Sequence, residues 1–574
     1  MLEELSSKEK KNEGYRWRYF SVLTVLVVLG GILVWRMIDL TVHDRKFLEK
    51  QGNARSLRTV DIPAYRGMIT DRFGAPLAVS TPVEAVWMNP KEADAADKRL
   101  PELAQSLGIP VSRIKARINE KNKEFIYLKR GLEPMQTEKI KAMGIPGIHF
   151  QSEFKRYYPD GEVTAQIVGF TNIDDQGQEG LELAYNGWLK GEAGKKRVLK
   201  DRLGHVIADV QRLKEPKPGR NLTLSIDRSI QYIAYRELKK TVSELKARSG
   251  SVVVLDAKTG EILAMVNQPS FNPNNRVEIS PARIRNRALT DMFEPGSVMK
   301  AFSIASGLDS QKYQPDTLID TTPGKIHVGS HLISDDHPAG VITVTQVLQK
   351  SSNVGVSKMT LSLPPEQLVG LLRRVGFGDR TNSGFPGESP GFLPVRKVWS
   401  PFVLSTLAFG YGLSVSTLQL AQAYSVFANH GELIPVSLLL TRQKSAAQRV
   451  MDPEVADEML LMLESVVEGG TGSQAKVKGY RVAGKTGTAR IAGKGGYAKD
   501  RHTATFAGIA PVSAPRLVVV VVIDDPKIGG LYYYAGTAAA PTFSRIMAAS
   551  LRLLDVPPDK VEEIQEETHA KQLH

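Results

Sequence analysis

One serine of this 574-residue chain is placed where its hydroxyl could act as a nucleophile. Ser297 follows the turn residues Pro295-Gly296 and precedes the apolar run from Ala301 to Ala305, which predicts that it lies at a helix N-terminus. Lys300 then shares its helix face, about 5–6 Å away. A buried or crowded lysine can be neutral enough to take the serine proton. The pair therefore predicts acyl transfer through a serine ester.

A second segment with suitable chemistry is Ser351-Ser352-Asn353, which follows an amphipathic stretch from Val344 to Lys350. Ser351 can relay a proton between the Ser297/Lys300 pair and a leaving amine. Asn353 can hold Lys300 and a substrate amide by hydrogen bonds. We therefore expect this segment to lie beside the nucleophile.

The third segment is Lys485-Thr486-Gly487-Thr488, which follows the predicted strand residues 480–484. Lys485 supplies positive charge, and the hydroxyls of Thr486 and Thr488 can bind a substrate carboxylate. Gly487, together with Gly484, is expected to let an extended acyl chain lie along the strand. The backbone N–H groups of Ser297 and Thr488 are expected to form an oxyanion hole.

Short motifs of this kind also recur by chance. K-T-G is repeated at 258–260 and S-x-N at 270–272. Further S-x-x-K pairs are Ser7/Lys10, Ser112/Lys115, Ser152/Lys155, Ser243/Lys246 and Ser473/Lys476. Only one ordered set exists, in which S-x-x-K precedes S-x-N and then K-T-G, and Lys258 is explained as part of a hairpin turn.

The elements that must position these residues follow from hydrophobic patterning after residue 219. The pattern predicts a helix over Gln231–Lys246, strands over Ser251–Leu255 and Glu261–Val266, and a helix-rich block over 297–463. Three further strands and a closing helix follow at Gly479–Ile491, Thr503–Ala510, Leu517–Asp524 and Pro541–Leu554. Two early and three late strands suggest one sheet assembled from both ends of an α+β domain, which we place at 220–556.

Residues 42–216 are polar, with short apolar runs and many turn signals. They predict a mixed α/β domain without a catalytic constellation, serving as a structural spacer and docking module. Leu100–Leu107 and Thr137–Met143 are its better helix candidates. Residues 214–219 are expected to be a linker, and 557–574 a loose polar tail.

The N-terminal region contains an uncharged run, Tyr19–Trp35, between Arg18 and Arg36. Its length meets the lower limit of about 17 residues for a spanning helix. We place a membrane anchor at 19–38, a cytoplasmic N-terminus at 1–18, and the rest of the chain outside the membrane. The alternative, a cleaved signal peptide, is disfavoured because the run is long and no A-x-A site follows.

Amino-acid composition narrows the classes of protein and of function that remain. The 42% hydrophobic and 24% charged residues are those of a globular protein, and with no cysteine there is neither a disulfide nor a cysteine nucleophile. The net charge of +14 could indicate nucleic-acid binding or a basic face near anionic lipids or wall polymer. Because Lys and Arg are scattered, with no basic run interleaved with aromatics, nucleic acid is not expected as a partner.

The ordered motif set resembles that of penicillin-binding proteins, and nearly the whole chain is similar to class B members. The segments that carry this resemblance are 66–74, 157–159, 177–182, 293–297, 385–388, 410–412 and 506–508. The stretch 154–182 resembles division-type (septal) members more than elongation-type ones.

The resemblance implies an N-terminal pedestal domain of the dimerisation type and a transpeptidase domain with a central antiparallel sheet flanked by helices. It implies D,D-transpeptidation of peptidoglycan stem peptides ending in D-Ala–D-Ala, without metal or cofactor, and covalent inhibition by β-lactams. It also implies an inner-membrane protein with a periplasmic catalytic domain, working beside a SEDS-type glycan polymerase and other divisome membrane proteins. The loops around 497–505 and 532–534 would flank the cleft and could shape β-lactam affinity. The alternative is that the three adjacent tyrosines 532–534 are ordinary strand or hairpin residues.

Several alternatives use the same motifs. A D,D-carboxypeptidase or β-lactam hydrolase would need an activated water, and no dedicated carboxylate such as the class A glutamate motif is evident. A β-lactam sensor would need an intracellular domain, which about 18 residues before the anchor cannot form. A catalytically silent scaffold is disfavoured by intact Ser297, Lys300, Ser351 and Lys485. An elongation-type transpeptidase remains a further alternative.

Overall fold

The computed structural model describes residues 2–200, 206–275, 279–441, 446–493, 496–527 and 534–560. Tyr532, Tyr533 and most of the expected polar tail lie outside the described residues. Contacts divide the chain into two units. The first contains residues 1–64, 83–153 and 192–217, and the second contains 65–82, 154–191 and 218–574.

The N-terminal part of the chain is a helix over Leu2–Ile38, continued by a π-helical turn at Asp39–His43. Its apolar portion, Trp17–His43, has a mean hydropathy of 2.2 and no buried residue in its most apolar window. Within the described ranges it is the one helix long and apolar enough to cross a membrane. This arrangement is consistent with a single-pass anchor.

The rest of the first unit combines short helices with two small sheets. Its helices are Arg45–Ser56, Leu100–Leu107, Val111–Ile118 and Pro134–Ala142. Strands Leu57–Ile62, Gly194–Lys200 and Val206–Lys214 form an antiparallel sheet in that order. Residues 84–88 of the strand Pro76–Met88 pair with Ile126–Leu132, and residues 148–153 of the strand Ile148–Tyr157 also belong to this unit. The helix predicted at Leu100–Leu107 is confirmed, and the one predicted at 137–143 begins three residues earlier.

The second unit is built on a five-stranded antiparallel sheet made from both ends of its sequence. The strand order is Ile262–Gln268, Ser249–Asp256, Leu517–Asp524, Gly496–Ala510 and Ala483–Gly493. The prediction of one sheet from two early and three late strands is confirmed. The five valines 518–522 lie on a central strand and are at most 5% exposed, which accounts for an unbroken apolar run.

Helices cover both faces of this sheet. On one face Val252, Val254, Val519 and Val521 share a core with helices Arg228–Glu244 and Ala540–Leu553. On the other face Val253, Val518 and Val520 share a larger core with the inserted helical block. That block holds helices Lys300–Asp309, Val344–Gln349, Asn353–Leu361, Pro365–Arg374, Pro401–Ala408, Thr417–Ala428 and Pro453–Gly469.

Smaller elements complete the second unit. Its short helices are Gly161–Val163, Ala165–Val168, Gly180–Ala184, Asn186–Leu189, Pro281–Ile284, Arg287–Thr290, Gly296–Met299, Ser473–Ala475 and Ala535–Ala538. Its short strands are Ile69–Thr70, Leu222–Thr223, Leu318–Asp320, Lys325–Val328, His331–Ser334, Val341–Thr343, Glu432–Leu433 and Gln448–Arg449.

Candidate active site

Ser297 lies in a tight 3-10 turn, Gly296–Met299, that leads directly into the helix Lys300–Asp309. The turn follows Gly296, whose φ of +60° suits glycine and whose N–H donates to the Gly410 carbonyl at 3.1 Å. Ser297 is half-buried, whereas Val298 and Met299 are fully buried. The α-helix thus begins three residues after the serine, and the turn holds the hydroxyl at the helix entrance.

Lys300 is completely buried, and its ammonium contacts Ser351. Its Nζ donates to the Ser351 carbonyl and, at 3.1 Å, to the Ser351 hydroxyl. Burial lowers the pKa of Lys300 from 10.5 to about 7, while the charges of Asp335 and Asp336 oppose that shift. A sizeable share of this amine is therefore neutral near pH 7, as a general base requires.

Lys485 contacts the same hydroxyl from the strand Ala483–Gly493, which we call the K-T-G strand. Its Nζ donates to Ser351 Oγ at 3.1 Å, so the Ser351 hydroxyl lies between two lysine amines. Burial, and then the charge of Lys300, hold the pKa of Lys485 well below its ordinary value. Two amines on one buried hydroxyl disfavour a doubly charged state, which keeps one of them available as a proton acceptor.

Ser351 occupies an unusual backbone conformation, with φ at +60° for a residue that is not glycine. The next residue, Ser352, caps the helix Asn353–Leu361 by accepting from the Gly355 N–H at 2.8 Å. Such strain persists where the surroundings enforce it. Here it turns both the carbonyl and the hydroxyl of Ser351 toward the Lys300 amine.

Asn353 lies at the start of that helix, and its side-chain N–H donates to the Ser334 carbonyl at 3.0 Å. Within the described part of the chain no hydrogen bond joins Asn353 to Lys300. The Ser351 carbonyl occupies the position at Lys300 that we expected for Asn353. The structure therefore brings Ser351, and not Asn353, to Lys300, and the Asn353 amide binds Ser334 instead.

The hydroxyls of the two threonines in the K-T-G strand contact other groups of the protein. Thr486 Oγ1 is 2.7 Å from Thr471 Oγ1, and Thr488 Oγ1 accepts from the Ala535 N–H at 3.0 Å. Both hydroxyl oxygens are therefore held in place by other parts of the protein.

The glycines of this strand allow other parts of the protein to approach its backbone closely. A Cβ at Gly487 would lie 2.6 Å from the Pro295 carbonyl oxygen, and one at Gly484 would lie 2.6 Å from the Phe506 ring. Gly487 thus lets the strand approach the turn that carries Ser297. We had expected both glycines to make room for an acyl chain, and the structure assigns that space to Pro295 and Phe506.

Some residues of the site were missed in the sequence. Thr471 contacts Thr486 and lies 3.5 Å from the Lys485 amine. The small-residue run 469–472 was its only signal. Asp335 binds the segment that carries Ser351, and the acidic pair 335–336 shortly before the S-x-N motif was a weak hint.

One wall near the Ser297 turn is aromatic. The Tyr497 hydroxyl donates to Glu294 Oε1 at 3.0 Å, and its ring meets Tyr411 edge-on with centroids 5.3 Å apart. Burial and the Glu294 carboxylate raise the pKa of Tyr497. Tyr497, at the start of the strand Gly496–Ala510, therefore lies beside the segment 293–297, and residues 497–505, which we expected to form a loop, belong to that strand.

The competing K-T-G triplet behaves as predicted. Its Lys258 N–H donates to the Asp256 carboxylate at 3.0 Å within the turn between strands Ser249–Asp256 and Ile262–Gln268. The triplet is thus a hairpin turn.

The chain matches two domain families of known proteins. Residues 250–548 match the penicillin binding protein transpeptidase domain family, and residues 61–224 match the penicillin-binding protein dimerisation domain family. The chain is 45% identical over 560 residues to the probable peptidoglycan D,D-transpeptidase PbpC of Pseudomonas aeruginosa, covering 97% of this chain and 98% of that protein. It is 42% identical to peptidoglycan D,D-transpeptidase FtsI of Escherichia coli K12, covering 96% and 95%.

Solved structures agree. Penicillin-binding protein 3 of Mycobacterium tuberculosis, in complex with aztreonam, matches with a TM-score of 0.68 and 28% identity, covering 87% of this chain and 98% of that chain. The chain matches both domain families, and the curated relatives align with nearly its whole length. Together these matches assign the chain to one protein family. The chain belongs to the class B penicillin-binding proteins, in which a dimerisation domain precedes a serine-type transpeptidase domain.

Proposed function

We propose that this D,D-transpeptidase cross-links peptidoglycan stem peptides during septal wall synthesis through an acyl-enzyme on Ser297. The observation that carries the proposal is the Ser351 hydroxyl held at 3.1 Å from both Lys300 and Lys485. Similarity to FtsI and PbpC supports the reaction, and similarity to FtsI supports the septal role.

In the first half-reaction Ser297 Oγ attacks the carbonyl carbon of the penultimate D-alanine. The neutral Lys300 amine takes the hydroxyl proton, and the N–H groups of Ser297 and Thr488 stabilise the oxyanion. The C–N bond to the terminal D-alanine breaks as an ester C–O bond forms. Ser351 passes a proton to the leaving amine, which departs as free D-alanine.

In the second half-reaction the amine of a neighbouring stem peptide attacks the ester carbonyl. The amine loses a proton to the Lys300/Ser351 pair, a new amide C–N bond forms, and the ester C–O bond breaks. The proton returns to Ser297 Oγ, so the enzyme is restored without cofactor. One amide replaces another, and no external energy source enters the balance.

The substrate carboxylate binds beside the K-T-G strand. Lys485 gives positive charge there, and the fixed hydroxyls of Thr486 and Thr488 donate to the carboxylate. Asn353 binds the substrate amide at the cleft. A β-lactam, which contains a cyclic amide close to an acidic group, acylates Ser297 in the same way. The aztreonam complex of the M. tuberculosis relative supports that expectation.

The proposed setting is the inner membrane, with a cytoplasmic N-terminus and a periplasmic catalytic domain. One apolar helix near the N-terminus supports a single-pass anchor. Because residues 61–224 match a dimerisation domain, that region is the proposed docking module for divisome membrane proteins and a SEDS-type glycan polymerase.

Labelling with a fluorescent penicillin tests the nucleophile. The wild type should form a covalent adduct, and Ser297→Ala should abolish it while the protein stays folded by thermal unfolding. Lys300→Ala should also lose the adduct. Lys258→Ala is the matched control and should label normally, because that K-T-G is a turn. An adduct that survives in Ser297→Ala contradicts the assignment.

Product analysis separates transfer from hydrolysis. The enzyme, a D-Ala–D-Ala donor peptide and an acceptor amine should yield cross-linked product together with free D-alanine. Free D-alanine without a cross-linked product would instead support the D,D-carboxypeptidase.

A further inference from the structure

Asp335 lies outside the three motifs, in the segment between the strand His331–Ser334 and the S-x-N motif. Its carboxylate accepts from the Ser352 hydroxyl at 2.7 Å and from the Val354 N–H at 2.9 Å. Its own N–H donates to the Gly324 carbonyl at 2.9 Å. Asp335 is therefore fixed at both its backbone and its side chain.

These contacts hold the first turn of the helix Asn353–Leu361. Ser352 caps the turn through the Gly355 N–H, and the Asp335 carboxylate binds the capping hydroxyl and a second free N–H. A carboxylate at a helix N-terminus also complements the helix dipole. The turn begins directly after Ser351, so Asp335 fixes the point from which Ser351 projects.

The same carboxylate acts on the Lys300 amine through space. The charged groups that face Lys300 are Asp335, Asp336 and Lys485, and Ser351 supplies its neutral contacts. Asp335 and Asp336 raise the pKa of Lys300 against the larger effect of burial. Asp336 is exposed, and no hydrogen bond joins it to the S-x-N segment within the described residues.

We propose that Asp335 is a positioning residue for acyl transfer, which fixes the turn carrying Ser351 and supplies negative charge to the Lys300 amine. The inference rests on the proposed function of Ser297. It gives one side chain two separable effects. The first sets how fast the assembled site reacts, and the second sets the pH at which the base becomes available.

Three variants of the full-length protein separate these effects. Asp335→Asn removes the charge and weakens the clamp. Ser352→Ala removes the clamped hydroxyl and leaves the carboxylate. Asp336→Asn removes a neighbouring charge and leaves the clamp. The measurement is the acylation rate constant with fluorescent penicillin, taken from about pH 5 to pH 9 so that the acidic limb and the plateau are both defined.

Asp335→Asn should lower the plateau roughly ten-fold and move the acidic limb to lower pH by about half a unit or more. The limb moves down because losing a negative charge makes Lys300 easier to deprotonate. Ser352→Ala should lower the plateau with its limb in place. Asp336→Asn should move the limb in the same direction with its plateau in place. A simple loss of packing would not produce this separation.

A wild type that is not acylated at Ser297 would refute the proposed function itself. Normal wild-type acylation together with an unchanged plateau and limb in Asp335→Asn would overturn only the role of Asp335. If Asp335→Asn does not fold, Ser352→Ala decides. An undiminished plateau in Ser352→Ala then overturns the inference, because the Asp335 carboxylate holds the turn through the Ser352 hydroxyl.

Discussion

Lys300 is a buried amine whose neutral state serves the chemistry, while its burial in the charged state costs stability. In the folded protein the pKa of Lys300 is about 7, against 10.5 for a free lysine. Between these two values the unfolded chain binds a proton that the folded chain does not. Stability therefore rises with pH across that window, and the full penalty remains below it.

This linkage predicts the behaviour of Lys300→Met. The wild type should gain stability relative to the variant as the pH rises from about 7 to about 10, by on the order of 2–4 kcal/mol. Groups that titrate alike in both proteins cancel in the difference. Thermal unfolding of the two purified proteins over this range measures it, and a difference that does not change with pH would contradict a buried neutral lysine.

At the scale of elements, the segment around Gly410 supports the turn that carries Ser297. A Cβ on Gly410 would lie 2.1 Å from the Gly296 carbonyl oxygen, and its φ is +89°. Gly412 has a similar φ of +79°, but a Cβ there would meet nothing within 4 Å. The two positions thus share backbone strain and differ in the steric clash.

Gly410→Ala should therefore displace the Ser297 turn and reduce penicillin acylation by about 100-fold, since a misplacement of about 1 Å can cost that much. Gly412→Ala should cost only about 1–3 kcal/mol of stability and keep most of its acylation rate. Acylation kinetics and thermal unfolding of both variants measure the contrast. Equal losses in the two variants would show that strain, and not the clash, controls the turn.

The central sheet could be predicted from the sequence because the hydrophobic pattern of each strand is local. The valine run predicted Leu517–Asp524 with the bounds that the structure has. The preceding strand begins at Gly496, seven residues before its prediction at Thr503, because its polar outer part pairs only with Ala483–Gly493 and has no buried apolar pattern. Strand edges beyond the core thus escape hydrophobic periodicity.

The site was accessible only in part. The order of the three motifs along the chain distinguished the catalytic K-T-G at Lys485 from the hairpin K-T-G at Lys258. The positive φ of Ser351, the contact from Asp335 and the contact from Thr471 depend on segments far apart in the chain. No local pattern encodes which distant group satisfies a buried amine, so these contacts needed coordinates.

At the scale of the whole molecule, the proposed topology can be tested in a chain without a natural cysteine. Ser112 is exposed in the helix Val111–Ile118. In right-side-out membrane vesicles Ser112→Cys should react with an impermeant maleimide, and Ser7→Cys should react only after permeabilisation. The untouched chain is the unlabelled control. The reverse pattern would invert the proposed orientation.

The central sheet also has a consequence for how the protein is made. Strand Leu517–Asp524 pairs with Ser249–Asp256 on one side and with Gly496–Ala510 on the other. A ribosome releases the nucleophile turn and the K-T-G strand before that middle strand, so a nascent chain carries both before the strand that joins the two halves of the sheet exists. Premature termination before residue 517 would leave two separated half-sheets, so we expect each molecule to become competent only after the strand Leu517–Asp524 has been made.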